Sequence, residues 1–139
     1  MPAGTDPALL RSEHVILTGA FLARYAEVAD ESLYVAGGVL SRAAVKPPDR
    51  SISLYLVALM LAGPEDTREQ FRTKVIFSDW ALNDAVLTEQ DVSFDAPDGG
   101  SRFWIWPLRV NCASGPGRYV FKVTMNGTSI SVPLTVHDA

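Results

Sequence analysis

The chain has 139 residues, 47% of them hydrophobic and 20% charged, with a formal net charge of −4. That length suits one domain, which buries roughly two-thirds of its unfolded surface without a metal or disulfide staple, and the composition excludes a disordered chain. The acidic balance opposes the counterion release that drives non-specific nucleic-acid binding, so no nucleic-acid partner is expected.

Residues 1–12 are rich in Pro, Gly and small side chains and read as a flexible N-terminal arm ahead of a single domain over 13–139. The opening Met1-Pro2-Ala3-Gly4-Thr5-Asp6-Pro7 lacks the basic start and apolar run of a signal peptide. The longest apolar run, Leu54 to Ala62, is far shorter than the roughly 20 residues of a membrane helix. A lone cysteine, Cys112, forms no internal disulfide and fits a reducing compartment. A cytoplasmic protein with no membrane partner is the expectation.

The segment from Val15 to Val28 begins apolar and β-branched. Leu33-Tyr34-Val35-Ala36 is strand-like and runs into Gly37-Gly38, where a bend or bulge is expected. Pro47-Pro48-Asp49 marks a turn. Next, Ile52, Leu54, Leu56, Ala58 and Met60 line one face of a long strand, and Tyr55, Val57, Leu59 and Leu61 line the other. A strand apolar on both faces is expected to be covered on both. A loop opens at Gly63-Pro64-Glu65-Asp66, and one helical turn over 66–70 is an alternative there. Phe71, Val75 and Phe77 alternate with Arg72, Lys74 and Ser78, and Val92 and Phe94 fall in phase within a strand over 86–94. Trp104, Trp106, Leu108 and Val110 share one face of the following strand.

The C-terminus carries the clearest pattern. Tyr119, Phe121, Val123 and Met125 alternate with polar residues, Asn126-Gly127 follows, and Ile130, Val132, Leu134 and Val136 alternate again. Asn-Gly suits a two-residue turn in which both residues need positive φ. That turn sets Val123 opposite Ile130, Phe121 opposite Val132 and Tyr119 opposite Leu134, on one face. Pro133, on the other face, predicts an edge or a bulge. The turn chemistry also accounts for the Asn126-Gly127-Thr128 glycosylation sequon. About eight strands with regular turns and no helical period predict an all-β fold, an antiparallel β-sandwich of immunoglobulin-like or jelly-roll-like connectivity.

Chemistry-bearing patterns are scarce. The phosphate loop, the Rossmann glycines, the Gly-x-Ser-x-Gly elbow and His-Glu-x-x-His are all absent. His14 and His137 lie near opposite ends of the domain and make a poor metal pair. Asp79, Asp84, Asp91, Asp95 and Asp98 fall within one stretch, where loop carboxylates at a sandwich end can bind calcium, although their irregular spacing favours solvated loop charge. No catalytic residue, cofactor or metal site is assigned, and the chain is not expected to be an enzyme. Trp80 lies out of phase with Phe71, Val75 and Phe77 beside a loop, and is expected to be exposed as an interface anchor. Arg102, Arg109, Arg118 and Lys122 fall opposite the apolar faces of their strands, and form a basic stripe if those strands are neighbours.

Ala23-Arg24-Tyr25-Ala26-Glu27-Val28 through Leu33-Tyr34-Val35-Ala36-Gly37-Gly38, with Pro47-Pro48, the apolar strand 54–61 and Gly115-Pro116-Gly117-Arg118-Tyr119, resembles a family of small bacterial, largely actinobacterial, β-sandwich proteins of unknown function. Arg24, Asp30-Glu31-Ser32 and Val39-Leu40 depart from its pattern. The resemblance implies a bacterial cytosolic sandwich and no activity. The expected function is a non-enzymatic interaction module that binds another protein or a copy of itself, through Trp80, the basic residues and an open strand edge. The alternatives are a small-molecule or carbohydrate binder, or an enzyme on such a ligand, and a structural subunit of a bacterial or phage assembly.

Overall fold

A computed structural model describes residues 15–62, 69–94 and 100–139, all strand, turn or irregular with no helix. The described residues form ten strands: β1 Ile16–Ala23, β2 Tyr25–Ala29, β3 Ser32–Ala36, β4 Arg42–Val45, β5 Ser51–Ala62, β6 Glu69–Ser78, β7 Asp84–Phe94, β8 Gly100–Asn111, β9 Gly117–Met125 and β10 Thr128–Asp138. A three-stranded sheet, β1-β5-β8, faces a five-stranded sheet, β4-β10-β9-β6-β7, and β2-β3 forms a separate hairpin. Pairing is antiparallel except between β4 and β10. The all-β sandwich is as expected, with ten strands against about eight. The difference has two sources. The apolar stretch from Val15 breaks at Arg24, whose amide bonds to the Gly37 carbonyl (3.3 Å) and turns the chain out into the hairpin. The four-residue β4 is too short to show a period in the sequence. Of the alternative helical turn at 66–70, Glu69 and Gln70 are strand β6 instead; residues 66–68, the N-terminal arm, His14, Asp95 and Asp98 lie outside the described residues.

The core lies between the two sheets. Leu54, Leu56, Ala58 and Met60 of β5 point into it, opposite Phe121, Val123 and Met125 of β9 and Leu134 and Val136 of β10, all buried. Burying one such side chain contributes about 1.5–3 kcal/mol. Cys112 is buried in the same cluster, and desolvation pushes its thiol up to about 11. The C-terminal hairpin has the expected register, Val123–Ile130, Phe121–Val132 and Tyr119–Leu134, around Asn126 (φ 49°) and Gly127 (φ 83°). At one end, Arg50 ahead of β5 makes a two-pronged ion pair with Asp138 of β10 (2.9 and 3.1 Å), tying the two sheets together.

The outer face of β5 is also covered, as its second apolar row requires. Strand β2 packs against β5 there. Tyr25 meets Tyr55 edge-on at 5.2 Å, Ala26 is buried, and Val57 is wholly inaccessible. The β2–β3 hairpin is thus a third, partial layer over the three-stranded sheet.

Among the described residues, strand β10 is open on one side from Thr128 to Leu134, as Pro133 predicts, and is covered only beyond that stretch. It lies between β9 and β4, although β4 reaches only Thr135 to Asp138. Pro133 falls on the stretch beyond β4, where its missing N–H leaves no ladder bond unmade. The other edges are each blunted. β1 has a register shift at Thr18 and β7 one at Leu87, the edge strand β8 contains Pro107, and β4 is four residues long. These are the devices by which sheets avoid adding a foreign strand.

Candidate interaction corner

Among the described residues, the turn between β6 and β7 and the start of β7 present the most exposed large apolar side chains of the five-stranded sheet. It is organised by Asp79, whose short carboxylate bonds the amides just ahead of it. Oδ1 accepts the amides of Ala81 (2.8 Å) and Asn83 (3.0 Å), and Oδ2 accepts Asn83 Nδ2 (2.9 Å) and the Ser114 hydroxyl (2.5 Å). The Ser114 and Asn83 hydrogen bonds lower the Asp79 pKa to about 2. The Leu82 amide closes the turn onto the Asp79 carbonyl at 3.1 Å. A carboxylate with four donors has its lone pairs filled, so this buried acid is a structural pin and not a base.

Trp80 follows on the same turn and is 50% exposed. Its indole lies on Gly117, where an added Cβ would stand 2.4 Å from the ring, and meets the Tyr119 ring edge-on at 5.5 Å. Tyr119 in turn stacks on Phe77 at 5.1 Å and donates its hydroxyl to the Gly115 carbonyl at 2.7 Å. Trp80 is therefore half anchor and half core, with one part held and the rest facing solvent. Beside it Leu82 is 80% exposed at φ 62°, and Val86 of β7 is 55% exposed. An adjoining cleft of about 180 Å³ is lined by Phe77, Asp79, Asn83, Asn111, Ser114 and Tyr119. Four of these polar groups are already engaged with one another or with Gly115. Among the described residues lining it, none is placed as a nucleophile beside a free base.

The basic residues do not form a stripe. Arg102 and Arg109 lie on β8 in the three-stranded sheet, Arg118 and Lys122 on β9 in the five-stranded sheet, so the sandwich separates them. Arg102 also corrects the expected facing. The unbroken β8 register pairs it with buried Met60, in phase with Trp104 and Trp106, so it ends the inner face. Arg109 faces outward, 3.8 Å from Asp49 and 3.4 Å from Ser53 Oγ. Lys122 stands exposed between Ser131 and Ile76. Trp106 is buried, its indole N–H without a hydrogen-bond partner among the described residues, and Trp104 packs half-buried at 6.5 Å from it. Among the described residues no three His, Cys, Asp or Glu side chains converge as a metal site. Asp91 lies on β7, paired with Arg72 at 3.0 Å. Leu82 escaped the sequence reading, although an apolar residue between Trp80 and the polar Asn83-Asp84 was its available signal.

No protein-family model and no curated protein matches the chain. Among solved structures it is similar to a β-glucosidase from Erythrobacter marinus (TM-score 0.56, 9% identity, 88% of this chain and 15% of that one). It is also similar to a β-glucosidase from Listeria innocua solved with glucose (TM-score 0.52, 11% identity, 70% of this chain and 15% of that one). The chain thus spans about 15% of those proteins, and at such identity the likeness is one of fold.

Proposed function

We propose that this chain is a non-enzymatic protein-interaction module of immunoglobulin-like build, which docks a partner protein on the corner formed by Trp80, Leu82 and Val86. The observation that carries this is Leu82. It holds a left-handed backbone that a branched side chain seldom adopts, and exposes an apolar side chain where any polar residue would serve the turn. The turn's hydrogen bonds come from the Asp79 side chain and from main-chain groups, with none from the Leu82 side chain. Strain and exposed apolar surface at one residue, pinned on a rigid turn, favour a binding role.

The immunoglobulin-like reading is supported by strand order. β5 and β8 fall where strands B and E lie, β6, β9 and β10 where C, F and G lie, and β7 where C′ joins them. The bond from the Tyr119 hydroxyl back to Gly115, at the start of β9, matches the tyrosine corner of such sandwiches. A lone cysteine, buried in the core, supports a cytoplasmic setting.

Leu82→Asp is the cleaner probe, because Trp80→Ala would also strip the packing over Gly117 and Tyr119. Tagged wild type and Leu82→Asp are compared in pull-downs from the host lysate, and by sedimentation of the pure proteins to detect a second copy as partner. A partner held by wild type and lost by the variant supports the proposal. Equal capture by both, or monomers that capture nothing, contradicts it.

A further inference from the structure

The β2–β3 hairpin covers the three-stranded sheet only in part. Tyr25 at its base meets Tyr55 of β5, and beyond that contact Ser53, Pro107 and Arg109 of the outer face are exposed among the described residues. A groove of about 250 Å³ lies there over β5 and β8. The strand register sets Tyr55 opposite Pro107 and Ser53 opposite Arg109. Alternation turns all four outward, away from Leu54, Leu56 and Trp106, which are buried in the core. An apolar row, Tyr55 and Pro107, thus lies beside a polar row, Ser53 and Arg109, and all four line the groove.

The fold makes little use of the polar row. Arg109 Nη1 makes a long contact with Ser53 Oγ at 3.4 Å, and Nη2 lies 3.8 Å from Asp49 Oδ2, too far for a hydrogen bond. Both members of that ion pair are mostly exposed, Arg109 at 68% and Asp49 at 71%, so the pair adds little to stability. Asp49 is held by Ser51, whose amide donates to Oδ1 at 3.1 Å and whose hydroxyl also bonds the carboxylate. A guanidinium has five N–H donors and a carboxylate about four acceptor sites, so both groups keep capacity for a ligand. Their opposite charges cancel, and the end of the groove offers donors and acceptors without net charge.

The geometry points to a binding site for a neutral pyranose, a single sugar ring with equatorial hydroxyls, on the outer face of β5 and β8. Such a ring has two kinds of surface. Its axial C–H bonds make flat apolar faces, one of which rests on Tyr55 and Pro107, an aromatic body with a polar tip beside an aliphatic ring. Its hydroxyls project from the rim, towards Ser53, Arg109 and Asp49. Each hydroxyl donates and accepts, and so matches a row in which a guanidinium donates, a carboxylate accepts and a serine does both. An anion or a cation gains from one member of the Arg109–Asp49 pair and is repelled by the other. The groove falls short of the roughly 300–1,000 Å³ of drug-sized pockets, which suits one ring. It lies on the sheet opposite the Trp80 corner, and neither site depends on the other.

The test is an NMR titration of the full chain with methyl β-glucoside, with glucuronate, which adds a negative charge, and with pentaproline, which would seat on Tyr55 and Pro107 if the groove took a peptide. Saturable glucoside shifts are expected with Kd on the order of a few mM, centred on the amides of Ser53, Tyr55 and Arg109. Glucuronate should bind no more tightly than the glucoside, and pentaproline should not compete. Arg109→Gln removes a charge-assisted hydrogen bond and should weaken the glucoside at least about tenfold. Tyr55→Leu, which takes away the ring, should also weaken it. Arg109 is largely exposed, so Arg109→Gln should unfold at the wild-type temperature, and loss of binding there is not loss of fold. No saturable glucoside shift, tighter binding of glucuronate, competition by pentaproline, or unaltered binding in either variant overturns the proposal.

Discussion

Tyr119→Phe tests whether the start of β9 is pinned as the contacts imply. Tyr119 is 1% exposed, and its hydroxyl donates to the carbonyl of buried Gly115, the last link before β9 begins. Phenylalanine keeps the ring contacts with Phe77 and Trp80 and removes only the donor. A buried acceptor left without its donor costs about 1–3 kcal/mol. For a domain of this size that lowers Tm by roughly 3–10 °C. Urea and thermal unfolding followed by far-UV circular dichroism measure it. Tyr55→Phe is the control, because Tyr55 is half-buried and its ring contact with Tyr25 survives. A Tyr119→Phe change below about 0.5 kcal/mol, within the range of ordinary surface substitutions, would refute the idea that this hydrogen bond holds the corner. So would an effect no larger than that of the control.

Three further outcomes follow from the contacts. The Asp79 carboxyl titrates near 2 in the folded chain, below its ordinary 3.8, so its stabilising effect is complete above about pH 4 and drains away as pH falls towards 2. Urea midpoints taken from pH 6 down to 2.5 should therefore fall more steeply for wild type than for Asp79→Asn, and parallel curves would contradict the pinned turn. Gly117→Ala would drive a methyl into the Trp80 ring at a backbone angle of φ 152°, and should cost about 1–3 kcal/mol while shifting tryptophan emission to the red. Cys112, inaccessible and with its thiol pushed up to about 11, should react with a thiol reagent only as fast as the domain opens. Labelling that is fast and insensitive to added denaturant would show that the thiol is not in the core.

What the sequence reveals here follows the range of the interactions. The C-terminal hairpin is legible because its signal is local, since alternation and an Asn-Gly pair fix both register and facing. The double row of apolar residues in β5 announces a second covering layer, and the hairpin supplies it. Which strand does the covering is not legible, because the β2–β3 excursion depends on contacts such as Arg24 with Gly37 and Tyr25 with Tyr55. The basic stripe failed for the same reason. Facing along a strand is a local property, whereas membership of a sheet is decided by partners tens of residues away. Trp80 was visible as an out-of-phase aromatic, but its hold on Gly117 required two turns distant in sequence to meet. Leu82 was hidden among loop residues, where exposure and backbone angle belong to the folded turn alone.

The corner is tested most directly by placing a photoreactive benzophenone side chain at position 82 and, in a second protein, at position 122, then irradiating each in its native host. The account predicts a discrete cross-linked product from position 82 that is weak or missing from position 122, on the exposed outer face of the same sheet. Matching products from both positions, or none from 82 in a protein that unfolds at the wild-type temperature, would contradict an interface built on Trp80, Leu82 and Val86.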